Sequence, residues 1–203
     1  MKQQQPCGSR IIFCTGGCRS GKSAFALDLA SKLPGSKLFV ATAEASDAEM
    51  LDRIGRHRLE RGPEWDCLEI SVGEAPHLAR HLVQAKQDIL LLDCLSSWVS
   101  ACLCAYPGLF EPENSDSAER TSRAGLAREA ELAVMGYFRA CLSGLRQRGG
   151  EIILVSAETG LGLIPPSLAG RVFRDILGLV NQEAARCADK AYLIVSGLPL
   201  RLK

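Results

Sequence analysis

Eight consecutive residues, Gly16-Gly17-Cys18-Arg19-Ser20-Gly21-Lys22-Ser23, spell the pattern G-x-x-x-x-G-K-[ST]. Each residue type has a chemical reason to be there. The glycines let the backbone curl until its N–H groups converge on phosphate oxygens. The Lys22 ammonium can reach β- and γ-phosphates, and the Ser23 hydroxyl is a hard oxygen suited to Mg²⁺. The motif carries weight only between a strand and a helix, and both are signalled here. Ile11-Ile12-Phe13-Cys14 precedes it, and the helical pattern from Ala24 to Ala30 follows. The chain is therefore expected to bind a nucleoside triphosphate, with Lys22 as a catalytic cation.

Two further groups of residues could act on such a ligand. Asp93 ends the apolar run Ile89-Leu90-Leu91-Leu92, where an acid can orient Mg²⁺ beside the phosphates. Capping of the next helix explains the same acid. His57 lies in a segment opened by Ser46-Asp47-Ala48-Glu49, a capping-box pattern that predicts a helix to about Arg61. Helical spacing puts Met50, Ile54, His57 and Arg61 on one side, with Arg53 four residues before the histidine. Cationic neighbours favour neutral imidazole, its nucleophilic form. A solvated basic face with an incidental histidine accounts for the same spacing, and the segment alone does not choose. Towards the C-terminal side, Arg174 suits a phosphate, and Asn181 and Gln182 suit a polar ligand. Ordinary helix-surface polarity explains these three nearly as well.

The elements that must position these residues follow from the apolar pattern. Besides the first run, Leu38–Ala41, Ile89–Leu92, Ile152–Val155 and Ala191–Val195 are continuously apolar. Such runs suit a parallel sheet covered on both faces. Helical patterns between them predict βαβ units, hence a mainly parallel α/β sheet with helices on both faces. Leu198 to Lys203 follows Gly197 and is expected to turn back as an antiparallel edge strand. Residues 106–123 are polar and proline-bearing and are expected to form a surface loop, followed by a helix over 124–148 closed by Gly149-Gly150. No repeat or linker divides the chain, so one domain over 1–203 is expected.

Composition excludes several classes. Lys plus Arg number 24 against 23 Asp plus Glu, so no basic field calls for nucleic acid. No apolar run approaches a membrane span, and Met1 to Pro6 lacks the apolar stretch of a signal peptide. Nine cysteines, an odd number without a zinc-like CxxC pair, read as apolar thiols in a reducing cytoplasm.

Together these pieces resemble the bifunctional adenosylcobinamide kinase/adenosylcobinamide-phosphate guanylyltransferase family of cobalamin biosynthesis. The resemblance rests on TGGCRSGKS (15–23), VATAEASDAEMLDRIGRHRLERGPEW (40–65), LLLDCLSSWVS (90–100) and the tail from Val155 to Lys203. It implies a RecA-like P-loop fold, commonly a homotrimer. It also implies two activities on one corrinoid: phosphorylation of the amino-propanol hydroxyl of adenosylcobinamide by ATP or GTP, then transfer of GMP from GTP. The second activity passes through a GMP–histidine, and the matching position is His57. By the same matching, Gly16 to Ser23 should hold phosphates. Ala41, Thr42, Ala43, Arg58, Leu59, Glu60, Arg61 and Glu69 look like nucleotide contacts, and Ser23 and Asp93 like the Mg²⁺ residues. The chain departs from the family pattern at Ala157, where asparagine is usual, and lacks an asparagine after the Asp93 segment. Two other readings remain at this point: an enzyme with one of the two activities, or a non-catalytic P-loop regulatory module.

Overall fold

In a computed structural model of the chain, residues 8–42, 64–111 and 117–203 are described, with side chains from residue 121 in the last span. Seven strands form one sheet: β1 (Arg10–Gly16), β2 (Lys37–Ala41), β3 (Trp65–Glu69), β4 (Ile89–Asp93), β5 (Glu151–Ala157), β6 (Lys190–Val195) and β7 (Leu198–Arg201). Their order across the sheet is β3-β2-β4-β5-β1-β6-β7. The first six run parallel, and β7 returns antiparallel beside β6. The mainly parallel sheet and the antiparallel last strand expected from the sequence are both present.

Alternation along the central strands sends side chains to two cores. Ile11, Leu38, Leu90 and Ile152 are buried on one face, and Ile12, Phe39, Leu91 and Ile153 on the other. Each set of four is in register across β2, β4, β5 and β1. Helix α1 (Lys22–Ser31) covers the second face through Ala26 and Ala30. The first face carries α2 (Leu78–Gln84), α3 (Leu95–Leu103), α4 (Ser117–Arg148) and α5 (Leu168–Cys187). Trp98 of α3 is fully buried there, against Phe138 at 5.7 Å, and its indole N–H donates to the Ala75 carbonyl.

Two boundaries differ from expectation. Strand β3 carries no sequence signal, because Trp65-Asp66-Cys67-Leu68-Glu69 is a half-exposed edge strand and not an apolar run. The loop expected over 106–123 is shorter. Pro107–Leu109 forms a 3₁₀ turn with Leu109 buried, and α4 already begins at Ser117. Arg123, expected in the loop, is buried and donates to the Glu111 carbonyl.

Candidate functional site

The phosphate-loop sequence leaves β1 at Gly16 and enters α1 at Lys22. Arg19 and Gly21 adopt left-handed backbone, with φ of 52° and 92°, which turns the loop back on itself. The Ser20 N–H donates to the Gly17 carbonyl at 3.3 Å. Gly21 caps α1 without a side-chain acceptor, and no acid occupies the first turn. The helix thus presents uncapped N–H groups and the positive end of its dipole, an anion-binding arrangement. The Lys22 ammonium lies over the loop and donates to the Gly17 carbonyl at 3.2 Å. Ser20 is buried, and its hydroxyl makes no hydrogen bond to a described residue. Such an orphan costs about 1–3 kcal/mol unless a ligand satisfies it.

The loop is held from both sides. At Gly16 a Cβ would fall 2.5 Å from the Ile194 carbonyl oxygen and 2.6 Å from the Ser20 hydroxyl, so no side chain fits. The Gly16 carbonyl accepts from the Glu158 N–H at 3.0 Å. From the other side, the Ser196-Gly197 turn between β6 and β7 brings the Gly197 N–H to the Ser20 carbonyl at 2.8 Å. Both turn residues have positive φ, 52° and 81°, the geometry a two-residue hairpin requires. In the sequence Gly197 reads only as a turn; its contact with the phosphate loop carries no sequence signal.

Register supplies the acidic part of the site. Glu69, Ala41, Asp93, Val155 and Cys14 are successive Cα partners across β3, β2, β4, β5 and β1. Partners in a row project to one face, so both carboxylates lie on the face that carries α1. Burial pushes the Cys14 thiol up to about 12, and the charge of Asp93 adds to the rise. The thiol is therefore an inert neutral wall beside the acid. Thr42 follows the row. It is buried, and its hydroxyl donates to the Cys94 carbonyl at 2.7 Å and accepts from the Cys94 N–H at 3.0 Å. It locks the ends of β2 and β4 together, a role its sequence position does not announce. A hydroxyl, Ser23, and a carboxylate, Asp93, are the hard donors that Mg²⁺ takes, so these residues fit that ion.

Other expectations resolve differently. Asn181 is engaged within the protein. It accepts from the buried Ser156 hydroxyl at 2.6 Å and donates to the Ala157 carbonyl at 3.0 Å. Arg174 lies beside its neighbour Asp175 at 3.4 Å, and Arg171 donates to the Pro166 carbonyl at 2.7 Å. Ala43, His57, Arg58, Leu59, Glu60 and Arg61 lie outside the described residues. Among the described residues there is no cluster of three metal-ligating side chains, and no helix is long and apolar enough to cross a membrane.

Comparison with known proteins gives this geometry a family. The sequence model described as cobinamide kinase / cobinamide phosphate guanyltransferase matches residues 12–202. The bifunctional adenosylcobalamin biosynthesis protein CobU of Salmonella typhimurium is 33% identical over 95% of this chain and 99% of its own. CobP of Pseudomonas aeruginosa, likewise named bifunctional, is 34% identical over 93% of this chain and 94% of its own. Among solved structures, the assembled type III secretion ATPase EscN of enteropathogenic E. coli superposes with a TM-score of 0.52. At 10% identity, covering 92% of this chain and 43% of that one, it shares the fold alone. The phosphate loop, the acid row and a match along nearly the whole sequence agree: the chain belongs to the cobinamide kinase / cobinamide phosphate guanyltransferase family.

Proposed function

We propose that the chain carries both activities: it phosphorylates adenosylcobinamide with ATP or GTP, then transfers GMP from GTP to the adenosylcobinamide phosphate. The observation that carries this is the family match from residue 12 to 202, which spans both the phosphate loop and the His57 segment. In the first reaction the amino-propanol hydroxyl oxygen bonds to the γ-phosphorus, the bridging oxygen leaves with the nucleoside diphosphate, and the hydroxyl proton is lost. In the second, a His57 ring nitrogen bonds to the α-phosphorus of GTP and pyrophosphate leaves. A phosphate oxygen of the corrinoid then takes the phosphorus, and the N–P bond breaks, freeing the histidine.

Residues Gly16 to Ser23 hold the phosphates through backbone N–H groups and the Lys22 charge. Ser23 and Asp93 would hold Mg²⁺, which when bound neutralises charge on the phosphates. Ala41, Thr42, Ala43, Arg58 to Arg61 and Glu69 contact the nucleotide. The Ala41, Glu69 and Asp93 register supports a common site for that group. Thr42 contributes through its backbone and by fixing Cys94, since its hydroxyl is engaged. The enzyme acts as one domain, as a homotrimer, and in the cytoplasm; the described cysteines are free thiols, which suits a reducing compartment.

The test is intact mass after incubation with GTP and Mg²⁺. One added GMP is expected on the wild-type chain and none on His57→Ala, which keeps nucleotide binding. An undiminished adduct on the variant would remove His57 from the reaction. Separate assays of phosphorylation and GMP transfer would reveal a chain with only one activity.

A further inference from the structure

Two helices are too long for the sheet they cover. At 32 residues α4 spans about 48 Å, whereas the seven-residue β5 spans about 23 Å. The last turn of α4 is tied to the amino edge of the sheet. Arg146 donates to the Ser9 carbonyl, and Arg148 to those of Ala85 and Gln87. The excess length therefore overhangs the carboxyl edge, where the phosphate loop lies. Helix α5 does the same. Asn181 is level with Ser156 and Ala157, and the helical residues 168–180 before it add about 20 Å.

Segment 158–167 climbs this overhang. It starts at the phosphate loop, where the Glu158 N–H meets the Gly16 carbonyl, and ends at Ser167, which caps α5. Along it Leu161, Leu163 and Ile164 are 90%, 96% and 71% exposed. No charged residue occurs between Thr159 and Ile164. Beyond it, a groove of about 520 Å³ opens between Leu109–Glu111 and Pro166–Ala169, with Phe110 57% exposed at its rim. Bare aliphatic side chains in such a group mark a surface that something covers.

We infer that this overhang is the docking surface for the corrinoid acceptor, an inference that rests on the function proposed above. The nucleotide needs cations and hydrogen-bonding partners, which an uncharged aliphatic stretch does not offer. In adenosylcobinamide the adenosyl ligand covers one face of the corrin ring; the other offers apolar ring surface within a rim of amides, and a hydroxyl sits on a flexible arm. The ring lies on Leu161, Leu163 and Ile164, and the arm reaches down along the segment towards Gly16. Continuity with the phosphate loop argues against a second protein copy as the occupant. A macromolecule covering this wall would close the side from which the acceptor must approach the nucleotide.

The double variant Leu161→Ser with Leu163→Ser tests this, because both side chains are exposed and their loss leaves the core intact. The expected result is a KM for adenosylcobinamide raised tenfold or more. The KM for the nucleotide, the GMP adduct and the sedimentation coefficient stay unchanged. An unaltered adenosylcobinamide KM overturns the inference, and so does a change in sedimentation coefficient, which would make the wall a contact between copies. The wild-type chain separates the two levels. If it fails to phosphorylate adenosylcobinamide, the proposed function falls and the docking surface with it. If it succeeds while the variant matches it, the docking surface alone falls.

Discussion

The N–H of Gly197 donates to the carbonyl of Ser20 at 2.8 Å, so the turn of the last hairpin props the middle of the phosphate loop. The contact is close: a Cβ on Gly21 would come within 3.2 Å of the Gly197 Cα. A loop whose N–H groups must converge on an anion gains from having its carbonyls fixed, because ordering is then complete before the ligand arrives. Gly197→Pro removes the N–H and forbids the observed φ of 81°. It should weaken nucleotide binding by about tenfold or more, in line with roughly 1–3 kcal/mol for an orphaned carbonyl. Gly197→Ala keeps the N–H, and open space surrounds its Cβ position. Only the backbone strain of about 1 kcal/mol remains, and the loss should be smaller. Titration with a fluorescent nucleotide measures both, and a proline variant that binds like wild type would refute the prop.

The thiols divide by burial. Cys102 and Cys141, like Cys14, are pushed up from 9.0 to about 12, in each case chiefly by desolvation. Cys18, Cys67 and Cys104 are exposed. Only the thiolate is alkylated, and each tenfold step in acidity lost removes nine-tenths of it, so the buried thiols keep about a thousandth of the usual thiolate. At about pH 8, iodoacetamide should modify the exposed three far faster than the buried three, as read by peptide mass mapping. Nucleotide should slow modification of Cys18 alone, since only this thiol lies in the phosphate loop. Equal protection of Cys104 would mean a global effect and not occupancy of the loop.

At the amino edge of the sheet Asp88 ties β4 to the turn before β2. The Ser36 N–H donates to its carboxylate at 2.9 Å and the Ser36 hydroxyl at 2.8 Å. The backbone N–H first, and then the hydroxyl, hold the carboxyl below its ordinary value of 3.8, with Arg148 assisting. A folded-state value below the unfolded one means stability that is present above the ordinary carboxylate range. It is lost as pH falls through the lowered value. Asp88→Asn should therefore lower the urea midpoint at about pH 7, and the gap from wild type should narrow as pH falls below the ordinary carboxylate range. A gap independent of pH would show that shape matters there and charge does not.

The phosphate loop is readable in the sequence because three independent signals coincide: the motif, the apolar strand before it and the helix after it. The five central strands are readable for a similar reason, since burial on both faces leaves no room for polar alternation. Strand β3 escapes because an edge strand can be as polar as Trp65-Asp66-Cys67-Leu68-Glu69. The first turns of α4 escape because Ser117 to Arg123 has the composition of a loop, and only tertiary packing buries Arg123. Asn181 looks like a ligand contact because an amide serves a ligand or a backbone equally well. Its partners, Ser156 and the Ala157 carbonyl, are far away in sequence. Contacts of that kind, including Gly197 with Ser20, depend on strand order, which local pattern does not encode.

Strand order also makes the sheet a ruler. Strand β5 lies between β1, which delivers the phosphate loop, and β4, which delivers Asp93. Two hydrogen-bonded strand spacings, about 10 Å in all, therefore separate the two deliveries. That interval is backbone, set by ladder geometry, and no side-chain substitution can lengthen or shorten it. What substitution can change is the side chains carried along that interval; the intervening strand ends at Ala157, the register partner of Gly16. A substitution along β5 therefore retunes what the strand presents beside loop and acid while the span itself stays fixed.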